Sequence, residues 1–116
     1  MHGIQGLDLE ELSVGGNKKI NNITFMKNLK KLYASGDCEI DQNGILGLDL
    51  IELDVGGNTK INNVTFMKYL KTLNASRKCG IDQKGILGLD LFVIDVSFNK
   101  KITNISFMKN LKSWTL

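Results

Sequence analysis

The segment GILGLDL at residues 44–50 recurs unchanged at residues 85–91, and a related copy, GIQGLDL, stands at residues 3–9. The intervals from 3 to 44 and from 44 to 85 are both 41 residues. A second segment, FMKNLK at residues 25–30, returns at 66–71 with one change and unchanged at 107–112. Self-similarity at a fixed period indicates a repeat architecture, in which one structural unit is stacked on the next.

Each 41-residue unit divides into two similar halves. Residues 9–20 follow the pattern L-x-x-L-x-V-x-x-N-x-x-I, and residues 29–40 follow L-x-x-L-x-A-x-x-D-C-x-I. The same frame begins again at Leu50, Leu70, Leu91 and Leu111, so the spacing alternates between 20 and 21 residues. The alternation of apolar and outward positions predicts one short strand per half-unit, with neighbouring copies paired as parallel strands about 4.8 Å apart. Leu12, Leu32, Leu53 and Leu73 are expected to line up in adjacent strands.

The pattern resembles that of the leucine-rich-repeat family, and residues 19–29 resemble the connecting half of short internalin-type repeats. The resemblance implies an α/β solenoid: a right-handed coil with one parallel sheet of about six short strands on the concave face, and turns or 3₁₀ pieces on the convex face. It also implies an Asn row, here Asn17, Asn58 and Asn99, whose side chains hydrogen-bond the turning backbone. The even half-units depart from the family at Asp37 and Lys78, each followed by a cysteine.

The repeats predict one domain over residues 1–116, in units 3–43, 44–84 and a partial 85–116. A single coil cannot bury its apolar side alone, whereas stacked coils cover one another. One alternative is a helix from Phe25 to Leu32, whose apolar residues at 25, 26, 29 and 32 fit a helical stripe. That helix would give a 41-residue βα repeat.

Composition excludes several classes of function. The net charge is only +3, and Arg77 is the sole arginine, which argues against a nucleic-acid surface. The first twelve residues lack the basic start and apolar run of a secretory signal, and no stretch reaches membrane-spanning length. A cytoplasmic protein that contacts neither nucleic acid nor membrane is therefore expected.

Catalysis and metal binding are poorly supported. His2 is the only histidine, so no Ser-His or Cys-His arrangement can be built elsewhere. Cys38 and Cys79 fall two coils apart, roughly 9–10 Å at the strand spacing, which exceeds the reach of a disulfide. We expect two reduced, packed thiols, no metal, no cofactor and no enzymatic activity.

The outward strand positions form the candidate partner site. The family binds partners on its concave face, and odd coils carry acidic residues there while even coils are basic or neutral. The ladder places Glu11 beside Lys31 and Lys31 beside Glu52, an arrangement that also serves register and solubility. The candidate binding residues on this face are Glu11, Lys31, Tyr33, Glu52, Asp54, Asn74 and Asp95.

The third unit carries apolar side chains at three positions where it departs from the second unit. Phe92, Val93 and Phe98 stand where the second unit has Ile51, Glu52 and Gly57. Exposed apolar patches often mark contacts, so these residues, together with Tyr33, are a second candidate partner site. The other interpretation is that they shield the end of the core.

Neither end of the sequence contains a polar capping coil, although Trp114 is a candidate plug. End-to-end association of two chains, or membership of a longer array, is expected on this basis. The N-x-S/T sequences at Asn22, Asn63, Asn74 and Asn104 recur because the repeat recurs. Three functions remain open: a protein-binding scaffold for an unknown protein partner, a self-associating module that forms a homo-oligomer, and a targeting domain detached from an enzyme.

Overall fold

The computed structural model describes residues 7–116, and these residues form a parallel β-solenoid. Each strand in this part of the chain is three residues long, and the strands hydrogen-bond in sequence order with every neighbouring pair parallel. The strands are β1 (Glu11–Ser13), β2 (Lys31–Tyr33), β3 (Glu52–Asp54), β4 (Thr72–Asn74), β5 (Val93–Asp95) and β6 (Ser113–Thr115). Each half-unit therefore contributes one coil with one strand, as the 20- and 21-residue spacing predicts, and coils 1–6 are numbered by their strands.

The central residue of each inner strand is buried in the core. Leu32, Leu53, Leu73 and Ile94 are buried, whereas Leu12 and Trp114, at the two edges of the sheet, retain more exposure. The expected row is confirmed, because Leu12 pairs with Leu32, Leu32 with Leu53 and Leu53 with Leu73. The burial gradient follows from stacking, since an inner coil is covered on both sides and an edge coil on one.

The glycines of the recurring GILGLDL segment serve two different needs. A Cβ atom on Gly44 or Gly85 would overlap the backbone of the preceding coil, at the carbonyl oxygens of Asn21 and Asn62. Gly47 and Gly88 both have φ of +81°, a left-handed conformation that glycine adopts without steric cost. The segment therefore recurs because adjacent coils come within backbone contact there and because the chain then turns sharply.

Buried asparagines tie each odd coil to the even coil before it. The Asn58 Nδ2 donates to the carbonyl oxygens of Ala34 (2.9 Å) and Ile40 (3.2 Å), and its Oδ1 accepts from the Lys60 amide (2.8 Å). Asn99 repeats the same arrangement one unit later. The role expected for the asparagine row is confirmed at these two positions.

In the even coils, a cysteine donates to the same alanine carbonyl that the buried asparagine contacts. The Cys38 Sγ donates to the Ala34 carbonyl (3.2 Å), and Cys79 repeats this contact with Ala75. Both thiols are free and buried, as the coil spacing predicts.

The segments between strands contain turns and two short 3₁₀ helices, Asn43–Ile45 and Gln83–Ile86. The alternative of a helix from Phe25 to Leu32 is wrong, because that segment is a series of turns that leads into β2. Ile23, Met26 and Leu29 are buried by contact with neighbouring coils, so their spacing reflects the coil and not a helical stripe.

Candidate functional site

The outer face of the sheet is formed by the first and third residues of each strand, and we call it the outer sheet face. In chain order its residues are Glu11, Ser13, Lys31, Tyr33, Glu52, Asp54, Thr72, Asn74, Val93, Asp95, Ser113 and Thr115. The side chains on this face are exposed or half-buried. The residue between them in each strand belongs to the row that includes Leu32 and Leu53. The parallel register brings the outward side chains of all six strands into two straight rows.

The expected ladder of Glu11, Lys31 and Glu52 is confirmed in its register. The closest polar contact of Glu52 is nevertheless with a different residue, because the Tyr33 hydroxyl donates to Glu52 Oε2 at 2.8 Å. The two ion pairs found within residues 7–116 lie away from this face, at Lys18–Asp37 and Lys60–Glu39. Register alone therefore did not predict which neighbour Glu52 contacts.

The hydrogen bond from Tyr33 to Glu52 raises the pKa of the tyrosine to about 12, with smaller contributions from burial and from nearby carboxylates. The hydroxyl is thus held in its neutral, donating form. This contact fixes the Tyr33 ring against the outer sheet face and leaves a flat aromatic surface beside a carboxylate.

Asp54, Asn74 and Asp95 close the turns that follow their strands. The Oδ1 atoms accept from the amides of Gly56 (3.0 Å), Ser76 (3.0 Å) and Ser97 (2.9 Å), and Asp95 also accepts from the Ser97 hydroxyl at 2.7 Å. Aspartate and asparagine favour this local turn, because a short side chain reaches the backbone two residues ahead. The second carboxylate oxygen of each aspartate has no protein donor among the described residues.

Two cavities meet along this row of turn-closing residues. A cavity of about 230 Å³ lies on the sheet between β2 and β5, and its lining includes the predicted residues Tyr33, Glu52, Asp54, Asn74, Val93 and Asp95. A second cavity, of about 260 Å³, lies where the chain leaves the strands and is lined by Asp54, Asn74 and Asp95 together with Ser35, Gly56, Ser76, Arg77, Ser97 and Phe98. The structure therefore brings seven of the ten predicted residues into one continuous surface, while Glu11, Lys31 and Phe92 line neither cavity.

The outer sheet face is acidic. Glu11, Glu52, Asp54 and Asp95 contribute four carboxylates, against the single ammonium of Lys31. Carboxylates held in a groove by a rigid backbone raise the local concentration of cationic groups.

The apolar substitutions of the third unit do not form one patch. Phe92 precedes β5 and Phe98 follows it, so the two rings lie at opposite ends of the strand. The Phe92 ring, which is 36% exposed, contacts the ammonium groups of Lys71 (4.9 Å) and Lys112 (5.2 Å). The combined site expected for Phe92, Val93 and Phe98 is thus divided, with Val93 and Phe98 each at one of the two cavities.

Phe98 belongs to a row of left-handed residues, one in each of the first five coils, four positions after the centre of the strand. The row comprises Gly16, Gly36, Gly57, Arg77 and Phe98, with φ between +60° and +73°. Glycine adopts this conformation freely, but a residue with a Cβ pays a steric cost. Phe98 is also 83% exposed, so burial of its ring offsets little of that cost.

Arg77, Ser76 and Ser97 are site residues that the sequence analysis missed. The signal that could have found Arg77 is its alignment with Gly36, because the half-unit frame places both four residues after a central leucine. Ser76 and Ser97 follow Asn74 and Asp95 by two residues, which is the spacing of the turn that those side chains close.

The recurring N-x-S/T sequences have a structural role. The Oδ1 atoms of Asn22, Asn63 and Asn104 each accept from the amide and the hydroxyl of the Thr or Ser two residues ahead, at 2.7–3.0 Å. The pattern is therefore that of a turn on the segment between strands.

Within residues 7–116, no three His, Cys, Asp or Glu side chains lie close enough to hold a metal ion. His2 lies outside the described residues. In the described part of the chain, no helix has both the length and the apolar character needed to cross a membrane.

Comparison with known proteins finds no family model, no curated protein and no solved structure that matches this chain.

Proposed function

We propose that this chain is a non-enzymatic, leucine-rich-repeat-type scaffold whose outer sheet face binds a basic segment of a protein partner. The observation that carries the proposal is the pair of adjoining cavities, which share Asp54, Asn74 and Asp95. The family assignment is supported by the repeat pattern and by the buried asparagines that tie successive coils together.

Charge supports a cationic partner segment. Glu52, Asp54 and Asp95 all lie along the cavity on the sheet, where Lys or Arg side chains of a partner would find acceptors already fixed in position. Complementary charges at such a surface mainly increase the association rate and the specificity. Binding is therefore expected to weaken as salt concentration rises.

Tyr33 supplies an aromatic contact surface in the same cavity. Tyrosines are enriched among the residues that dominate binding energy at protein interfaces. Because the hydrogen bond to Glu52 already fixes the Tyr33 hydroxyl, less side-chain entropy is lost when a partner binds.

Peptide selection tests this proposal. A library of random peptides is selected in parallel against the wild type, against Asp54→Asn/Asp95→Asn and against the single control variant Asp49→Asn. Asparagine at 54 and 95 preserves the turn, because Asn74 already closes the same turn in β4. Asp49 is exposed and lies outside both cavities, so its replacement removes a carboxylate without touching the site.

The wild type and Asp49→Asn are expected to enrich peptides rich in Lys and Arg, and the double variant to lose that enrichment. Equal enrichment by all three proteins would remove the outer sheet face as the binding site. Loss of enrichment with Asp49→Asn as well would show that net charge alone explains the selection.

A second candidate function is self-association through the face beside β6. A cavity of about 450 Å³ there is lined by Ile105, Met108, Leu111, Trp114 and Leu116, and Trp114 remains 55% exposed. In inner coils the equivalent positions are covered by the following coil, so this face has the shape to accept a coil of a second copy. Pairing of β6 with β1 of that copy would place Lys112 beside Glu10, which adds charge complementarity.

Light scattering over a range of protein concentrations tests this candidate. A dimer or longer assembly that dissociates in Trp114→Ser supports it. A monomer at all concentrations up to the millimolar range excludes it and leaves the partner-binding proposal untouched.

A further inference from the structure

The turns that follow β4 and β5 form a basic surface, and we call it the basic corner. It consists of Arg77, Lys78, Phe98, Lys100 and Lys101, which line a cavity of about 310 Å³ together with Cys79 and Asn99. This cavity shares only Arg77 and Phe98 with the cavity of about 260 Å³ described above. The corner is thus a separate surface with the opposite charge.

Comparison with the equivalent turn in coil 2 shows how the charge arises. That turn reads Gly36-Asp37-Cys38-Glu39 and carries two acidic residues, whereas coil 4 reads Arg77-Lys78-Cys79-Gly80 and carries two basic ones. In coil 2 the acids contact lysines of the neighbouring coils, Asp37 with Lys18 at 3.7 Å and Glu39 with Lys60 at 3.3 Å.

The lysines at the matching positions of coil 5 have no such partners. Lys101 aligns with Lys60, but coil 4 has Gly80 where coil 2 has Glu39, the partner of Lys60. Lys100 aligns with Lys18, and coil 4 has Lys78 where coil 2 has Asp37, the partner of Lys18. Throughout residues 7–116, no carboxylate lies within ion-pair distance of Arg77, Lys78, Lys100 or Lys101. Four cations therefore surround the cavity without an internal counter-charge.

The backbone conformation of two residues at this corner is unfavourable for residues other than glycine. Phe98 has φ of +60° where the preceding odd coils have glycine, and its ring is 83% exposed. Arg77 has φ of +63° where coil 2 has glycine. Stability alone would favour glycine at both positions, whereas a bound partner would use the two side chains that stand there.

We propose that the basic corner binds an acidic peptide segment, with an apolar side chain of that segment in the cavity beside Phe98. The cations meet the acidic side chains of the peptide, and the ring covers the apolar one. A long nucleic-acid strand fits less well, because its phosphates would continue from Arg77 toward the carboxylates of Asp54 and Asp95 across the adjoining cavity.

Fluorescence anisotropy with defined probes tests the proposal. The probe is a labelled peptide of alternating Glu and Asp with one central Leu, compared with the same peptide carrying Ser at the centre and with a single-stranded oligouridylate of equal charge. The variants are Arg77→Gly/Lys78→Asp and Phe98→Gly, which restore residues that already stand in the same turns of coils 2 and 3. Lys68→Asp, at an exposed position outside the corner, is the control for a change of charge.

The Leu peptide is expected to bind the wild type and Lys68→Asp similarly, and to bind both corner variants at least tenfold more weakly. The Ser peptide is also expected to bind more weakly than the Leu peptide. The corner variants should unfold at the same temperature or higher, so that weaker binding cannot be attributed to misfolding.

Three results with the probes would overturn the proposal, and so would one with the variants. These are no binding of the Leu peptide, equal binding of the Ser peptide, or tighter binding of the oligouridylate. Unchanged binding by both corner variants would also overturn it, because the peptide would then occupy another surface.

Discussion

The Tyr33 hydroxyl donates to Glu52 Oε2 at 2.8 Å across the parallel pair β2–β3. The two residues are not register partners, since Tyr33 pairs with Asp54 and Glu52 with Lys31. This diagonal contact joins the two rows of the outer sheet face. It also couples the charge of a carboxylate to the ionisation of a phenol.

Replacement of Glu52 by Val should lower the pKa of Tyr33 from about 12 toward its ordinary value of 10.0, because the main cause of the shift is the hydrogen bond to Glu52. Val93 occupies the equivalent position in β5, so the fold accepts valine there. Ultraviolet titration of the phenolate in a Tyr69→Phe background measures this pKa without interference from the other tyrosine. An unchanged pKa would show that the hydrogen bond does not form.

The same shift has a consequence for stability. The folded-state pKa of Tyr33 lies above its unfolded value, so the neutral phenol stabilises the native state fully below pH 10.0, and this contribution is lost as the pH rises through about 12. Between these values the wild type should lose stability relative to Glu52→Val. Chemical denaturation at several alkaline pH values checks the sign, and a relative gain by the wild type would contradict it.

Replacement of Asn58 by Ala should cost about 2–4 kcal/mol, because the buried Ile40 carbonyl and the Lys60 amide both lose their partner. Asn17→Ala is the matched control. Asn17 is half-buried and accepts from the amides of Lys19 and Ile20, so its loss should cost only about 1 kcal/mol. Urea unfolding of the two variants measures the difference. Equal losses in the free energy of unfolding would contradict the role assigned to the buried asparagines.

In the row of left-handed residues, adding a Cβ atom and removing one should have opposite effects on stability. Gly57→Ala introduces a Cβ at φ of +73° and should destabilise the fold by about 1 kcal/mol. Phe98→Gly removes one at φ of +60° and should be neutral or stabilising by up to about 1 kcal/mol. Thermal unfolding of both variants tests this, and destabilisation by Phe98→Gly would mean that the exposed ring packs against the fold.

The Cys79 thiol should react slowly in the native protein, because burial raises its pKa above the ordinary value of 9.0 and only the thiolate is nucleophilic. The nearby Lys101 ammonium and the hydrogen bonds from Ile81 and Asn99 oppose this shift without cancelling it. Alkylation by iodoacetamide, followed by mass spectrometry, should label Cys79 far more slowly in the native state than in denaturant. Equal rates would contradict its burial.

The sequence predicts the strand frame because core side chains recur at a fixed spacing. Leu32, Leu53 and Leu73 occupy the same position in successive coils, and a shift by one residue would turn each of them outward. The frame in turn predicts the outward rows, including Tyr33 and Asp54. The helix considered for Phe25 to Leu32 was wrong because coil packing and helical packing place apolar residues at similar spacings.

Contacts between long side chains could not be predicted in the same way. The register places Lys31 beside Glu52, yet the choice between Lys31 and Tyr33 as its partner depends on side-chain reach and not on position in the repeat. The separation of Phe92 from Phe98 was likewise missed, because substitutions close in sequence were read as one cluster. The left-handed conformation of Arg77 becomes visible only when its turn is compared with that of Gly36.

Every proposal here depends on coils stacked so that equivalent residues form continuous rows. Methyl nuclear Overhauser effects in a leucine-labelled sample measure this most directly. The account predicts cross-peaks between Leu32 and Leu53 and between Leu53 and Leu73, with none between Leu32 and Leu73. Absence of the first two cross-peaks, or a direct one between Leu32 and Leu73, would contradict the stacked solenoid.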